Sequence, residues 1–296
     1  MNEGRSYLLY KMRTKFLLTV LLLWIAGAGC NVINPPEKVP TYIRIDSFKL
    51  IGVNPSDVTT HAINTAWVYF NNQIAGVYNL PANIPVIADE AGQIQVNPGV
   101  NFTGYGGYKV IYPFYTFDSI NITPQPGKVI QFTPTVRYQS TVKFKYQEDF
   151  ETGNTFEPFN NYVTDDTSLI RTNNPSLVWN GEGGSGYIYL TQANSYSQNI
   201  NNTGFSITKG EAYIEIDYKC NVDFKVGLQA TVSGNTLYEP IATIKPNEQW
   251  GKLYIGLQDF LSRFTSNQYR VVILAELPAG QTDGYVLVDN IKVLSY

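Results

Sequence analysis

The chain has 296 residues, a net charge of −3, 15% charged residues and 44% hydrophobic ones. An acidic chain without a basic block lacks the clustered Lys and Arg that phosphate contacts need, which excludes nucleic-acid binding. Two cysteines and one histidine exclude a disulfide framework and give too few ligands for a transition-metal centre.

The apolar run from Phe16 to Gly29 is preceded by Arg13 and Lys15 and closed by Cys30. It is shorter than the ~20 residues of a spanning helix, and its small-residue end suits cleavage. Gly27-Ala28-Gly29-Cys30 resembles the lipobox of bacterial lipoprotein signals, with Gly27 where that family usually has Leu. The resemblance implies a signal peptide over residues 1–29, palmitate-type acylation and diacylglycerol on Cys30, and a membrane partner through that lipid. A start at Met12 gives the more regular leader. Removing residues 1–29 deepens the net charge to −6 and leaves Cys220 without an intramolecular partner. Asn31 and the absence of an acidic cluster after Cys30 predict an outer-membrane lipoprotein of the cell envelope facing the periplasm.

Residues 30–40 form the lipidated Cys and a proline-rich extended tether. With 22 Tyr, 24 Gly and 16 Pro, the rest reads as all-β and turn-rich, long enough for two β-sandwich domains. Residues 41–146 are the N-terminal sandwich, immunoglobulin-like or carboxypeptidase-regulatory-like. Its strands are expected at Tyr42–Leu50, Ala62–Phe70, Gln73–Leu80, Ile84–Ala88, Gln93–Val96, Tyr108–Phe117, Ser119–Ile122, Lys128–Thr133 and Thr141–Tyr146.

Residues 147–296 are the C-terminal domain. Ala212, Ile214, Ile216, Tyr218 and Cys220 alternate with polar residues, and alternation resumes at Phe224 after a turn at Asn221, which predicts a hairpin. Further strands are expected at Tyr187–Gln192, Leu253–Leu257, Tyr269–Ala275 and Tyr285–Leu294, with one short helix at Leu257–Phe264.

The opening Asp149-Phe150-Glu151-Thr152-Gly153, the glycine turn before Tyr187-Ile188-Tyr189-Leu190, Gln249-Trp250, and the closing Val286 to Val293 with Asp289-Asn290 carry a resemblance. It is to the galactose-binding-like jelly roll of many carbohydrate-binding modules, over residues 147–296. The whole chain is similar to lipoproteins of Bacteroidota-type bacteria. The resemblance implies a structural calcium held by Glu151 and Asp289, with Asp149 as an alternative ligand. Asp289 shares parity with Tyr285, Leu287, Ile291 and Val293, so its carboxylate is aimed into the apolar face, where an unpaired charge is costly. The alternatives are that it caps backbone N–H groups or that a bulge at Asn290 turns it outward.

Sugar-stacking rings are sought at Trp179, Tyr187, Tyr189, Tyr196, Tyr238 and Trp250, with Trp250 expected in the core, and companion amides at Asn180, Gln192 and Asn194. Trp179, Asn180, Tyr187 and Tyr196 form the expected ligand set. Gly181-Glu-Gly183-Gly-Ser-Gly186 matches a dinucleotide fingerprint but feeds a strand rather than a helix, so it is a turn. His61 is an ordinary loop histidine, Asp165-Asp166 a turn and Cys220 an inward-facing hydrophobe, so no catalytic residue is assigned. The expected function is non-enzymatic: an envelope lipoprotein binding a glycan or other ligand through its jelly roll. The alternative is a structural subunit docked on an outer-membrane protein complex.

Overall fold

A computed structural model describes residues 11–13, 15–20, 37–52, 59–102, 108–159, 168–208, 210–232 and 234–296. Cys30, most of the signal segment, most of the tether and Asp165-Asp166 lie outside the described residues. Residues 11–13 and 15–20 are helical. No helix among the described residues is long and apolar enough to cross a membrane.

The N-terminal unit holds β1 (Thr41–Ile45), β2 (Lys49–Leu50), β3 (Thr65–Phe70), β4 (Gln73–Asn79), β5 (Ala82–Val86), β6 (Gly92–Asn101), β7 (Lys109–Ile111), β8 (Asp118–Ile122), β9 (Val129–Gln131) and β10 (Thr135–Val136). A five-stranded sheet runs β4-β3-β6-β7 with β8 also on β6. A three-stranded sheet runs β5-β1-β9, and β2 pairs β10. Ile43, Ile45, Val68, Ile84, Ile94 and Val96 meet in one core. The predicted strand Tyr108–Phe117 shortens to β7, because Tyr112, Phe114 and Tyr115 leave the sheet to pack against the second unit.

The C-terminal unit holds β11 (Lys143–Glu148), β12 (Phe156–Pro158), β13 (Ile170–Thr172), β14 (Ser185–Thr191), β15 (Tyr196–Asn201), β16 (Ala212–Cys220), β17 (Phe224–Val232), β18 (Asn235–Ile244), β19 (Asn247–Gly256), β20 (Tyr269–Glu276) and β21 (Asp283–Ser295), with a short helix at Gln258–Arg263. The first sheet runs β13-β14-β21-β16-β19, with β11 also on β21; the second runs β12-β15-β20-β17-β18. All pairings in both sheets are antiparallel. Their facing sides share one core, from Ile188, Ile214 and Val288 on one sheet to Val226, Leu228 and Ile273 on the other. This is a jelly-roll sandwich beside a smaller β-sandwich.

Three expectations are corrected. The hairpin at Asn221 is not one: β16 lies in the first sheet and β17 in the second. Both strands present apolar faces to a single core, so the turn crosses between layers. The strand assigned to the end of the N-terminal domain, Thr141–Tyr146, is β11, and its register with β21 from Lys143↔Ser295 to Glu148↔Ile291 places it in the C-terminal sheet. Sheet pairing therefore moves the changeover from 146 to just before Lys143. Trp250 is half-buried and outside both cores, because Leu253, Ile255 and Leu257 hold the inward parity.

Beyond its core, the first sheet buries part of its outer face against the N-terminal unit. Tyr213, Tyr254 and Leu294 belong to the N-terminal core cluster. Tyr112 packs edge-on against Tyr213 and Tyr254 at centroid distances of 5.2 and 4.7 Å.

Candidate functional site

Parity defines the outer face of the second sheet. Val271, Ile273 and Ala275 of β20 and Val226, Leu228 and Ala230 of β17 point inward. Tyr196 and Gln198 on β15, Arg270, Val272, Leu274 and Glu276 on β20, Lys225, Gly227 and Gln229 on β17, and Tyr238 on β18 therefore share the opposite face. The register aligns Gln198 with Leu274 and Lys225 in one row, and Arg270 with Gln229 and Tyr238 in another.

Aromatic rings from the two edges of the sheet meet over this face. Phe159, which follows β12 at one edge of the sheet, has its ring centroid 5.8 Å from that of Tyr238 on β18 at the opposite edge. Of the two rings, that of Tyr238 lies against Gly227, where a Cβ would stand 2.9 Å from it. Val272 beneath them is fully buried although it faces away from the core.

The Tyr238 hydroxyl is buried and has no hydrogen-bond partner among the described residues. Burial, with Tyr196 nearby, pushes its pKa up to about 12, so it stays a neutral donor. An unsatisfied buried hydroxyl costs about 1–3 kcal/mol. Tyr196 donates to Gln198 Oε1 at 2.8 Å. At the Glu276 end the face opens into a cavity of about 260 Å³ lined by Lys225, Thr243, Leu274, Glu276, Leu277 and Pro278. The surface thus offers rings, amides, one free donor and both charge signs, the mixture that recognises polar ligands with apolar faces.

The expected ligand set is split between the sheets. Tyr196 lies on the second-sheet face. Tyr187 lies on the outer face of the first sheet, its ring stacked on Tyr189 at 6.0 Å. Trp179 and Asn180 occupy the 3-10 turn before β14, Trp179 half-buried and Asn180 exposed with φ 56°. Phe159, Gln198, Gln229 and Arg270 were missed by sequence reasoning; the alternation of Tyr196 with Gln198 was the available signal.

Between the units lies a buried charged row. Glu215 accepts the hydroxyls of Tyr112 at 2.7 Å and Tyr138 at 2.8 Å. Lys252, 3% exposed, stands 3.3 Å from Glu215 and 3.4 Å from Asp217. Burial first, and Glu215 second, raise Tyr112 and Tyr138 well above the usual phenol range. His61 lies in the loop before β3, as expected, and beside this row; burial, then Lys252, lowers its pKa. These groups are paired with one another inside the interface. Cys220 is fully buried, and burial raises its thiol to about 11.

Asp289 is buried, but a bulge turns it outward. Asn290 has φ 47° and the register shifts between Glu215 and Asp217, so Ile291 and Val293 face the core while Asp289 does not. Its Oδ2 accepts the Ser185 hydroxyl at 2.6 Å and its Oδ1 the Asn290 N–H at 2.7 Å. Burial raises its pKa to about 7, with Asp217 and Glu151 adding to the rise. Asp149 Oδ1 accepts the Glu151 N–H. Asp149, Glu151 and Asp289 do not gather: among the described residues no group of three or more His, Cys, Asp or Glu could hold a metal ion.

No family model matches this chain, and no curated protein matches it. Among solved structures it is similar to TmCBM61 in complex with β-1,4-galactotriose, at 12% identity over 49% of this chain and 92% of that one, TM-score 0.33. It is also similar to the K2 cleaved adhesin domain of Lys-gingipain, at 11% identity, 52% and 98% coverage, TM-score 0.37. The C-terminal family 22 carbohydrate-binding module of Clostridium thermocellum Xyn10B gives 15% identity, 51% and 91% coverage, TM-score 0.34. Likeness at this level carries no argument about what the chain binds.

Proposed function

We propose that this chain is a non-enzymatic cell-envelope lipoprotein that binds a glycan on the outer face of the second sheet of its jelly roll. The observation that carries the reading is Tyr238, whose buried hydroxyl has no hydrogen-bond partner among the described residues and whose ring packs against Phe159 and Gly227 on the face that also bears Tyr196, Gln198 and Gln229. A sugar that shifts the Phe159 ring aside supplies an acceptor to that hydroxyl while its C–H face lies on a ring. The lipid attachment is supported by the run ending at Gly27-Ala28-Gly29-Cys30, and the periplasmic orientation by the residues that follow. Protease treatment of intact cells tests the orientation: protection of the folded units is expected, and their release contradicts it. A glycan array probed with the native chain and with Tyr196→Ala tests the binding; retention of glycans by the native chain and their loss by the variant are expected, and a blank array for both contradicts the reading.

A second reading, an accessory subunit docked on an outer-membrane protein complex, is favoured by the part of the first sheet that the N-terminal unit leaves open. Tyr189 there is 44% exposed, with Tyr187 and Tyr285 beside it in register, and tyrosine is enriched in protein interfaces. Co-purification of a stoichiometric membrane protein, lost on Tyr189→Ser, supports this reading.

A further inference from the structure

The loop that opens the jelly roll presents two consecutive carbonyl oxygens to one side chain. Phe150 has φ 55°, in the left-handed region, and its ring is fully buried and stacked on Phe156 at 6.4 Å. Glu148 holds the loop from inside, accepting the Phe150 N–H at 2.8 Å and the Thr155 N–H at 2.7 Å. The carbonyls of Phe150 and Glu151 then accept from Arg171 on β13, through Nε at 2.5 Å and Nη2 at 2.9 Å. Gly184 permits the approach: a Cβ there would stand 2.3 Å from the Phe150 oxygen and 2.7 Å from Arg171 Nε. The Glu151 carboxylate lies over Gly183 and is among the charges that raise the pKa of Asp289.

Two carbonyls beside the Glu151 carboxylate make an oxygen-rich, anionic corner, the kind of oxygen donors a hard divalent cation takes, with Asp289 not gathered into it. The family resemblance implied calcium at Glu151 and Asp289. The residues present do not fit it: a guanidinium already engages both carbonyls, and both Asp289 oxygens are engaged by Ser185 and the Asn290 N–H.

We propose that the Arg171 guanidinium is the resident cation of this corner, fixing the opening loop in place of a bound metal ion, so that the jelly roll is stable without calcium. Its planar fork matches two adjacent carbonyls and its charge is permanent. Any cation that entered after its removal would meet the same oxygens.

Thermal unfolding of the full chain, dialysed against EDTA or supplied with millimolar calcium, tests this together with Arg171→Ala and Arg171→Lys. The native chain is expected to melt at one temperature in both conditions. Arg171→Ala is expected to melt about 5–10 °C lower, from the loss of two charge-assisted hydrogen bonds. Calcium should restore part of that loss where magnesium does not, and Arg171→Lys should fall between. If the alanine variant does not fold in EDTA, its refolding yield with calcium is the same readout. A chelator-induced fall in the native melting temperature overturns the proposal, as does an alanine variant that melts like the native chain. A fall that calcium leaves untouched overturns the cation role and leaves Arg171 a plain hydrogen-bond donor.

Discussion

Tyr112 of the N-terminal unit donates its hydroxyl to Glu215 of the C-terminal unit at 2.7 Å, inside a shared aromatic cluster. A buried carboxylate needs such donors, because a charge stripped of partners in a low-dielectric setting is strongly unfavourable. The N-terminal unit is thereby part of the structure of the jelly roll rather than a loose spacer. Tyr112→Phe is expected to lower stability by about 1.5–3 kcal/mol, the range for a hydrogen bond to a charged group. Denaturant unfolding of the single variants and of the double variant with Glu215→Gln measures the coupling, and strictly additive losses would show that the bond does not join the units.

Stability should fall as pH rises through neutrality. The folded pKa of Asp289 is about 7 against a usual value of 3.8, so the folded state binds the proton more tightly. The contribution is fully present below pH 4 and is lost as pH rises through 7, with an upper limit of about 4 kcal/mol. Asp289→Asn keeps an acceptor for the Asn290 N–H and removes the charge, so its melting temperature should exceed that of the native chain at pH 8 and vary less with pH. Equal pH profiles for the two proteins would rule out this origin.

Tyr238→Phe separates binding from folding. The variant removes a buried hydroxyl with no partner among the described residues, so stability should hold or rise by up to about 1 kcal/mol, while glycan affinity falls about tenfold. Titration calorimetry and thermal unfolding measured side by side decide it; a destabilised variant would show that the hydroxyl has a partner in the folded chain.

Cys30→Ser is expected to abolish incorporation of labelled palmitate and leave both sandwiches folded. Anchoring depends on the acyl chains, and the tether has no apolar periodicity. Continued labelling and carbonate-resistant membrane association of this variant would mean that the run from Phe16 anchors the chain uncleaved.

Much of the fold was legible because alternation is unambiguous where one face of a strand meets a core, as in β14, β16, β17, β20 and β21. The strand β15 was invisible: Ser197 and Asn199 are fully buried and bonded to one another at 2.8 Å, which erases the apolar signal. The strand β18 was hidden by Pro240, tolerated because β18 is an edge and its register shifts opposite Val226 and Gly227. Those two strands carry Tyr196 and Tyr238, so the rings were noticed singly while the face they share was not. At Asn290 one residue with positive φ reversed the parity on which the placement of Asp289 depended.

The most direct test of binding on the second-sheet face is amide chemical-shift mapping of the isotopically labelled protein titrated with a glycan retained on the array. The account predicts that the largest shifts fall on Gln198, Gly227, Gln229 and Tyr238, with Tyr187 and Tyr189 unmoved. Shifts confined to Tyr187, Tyr189 and Tyr285 would place the ligand on the first sheet and contradict it.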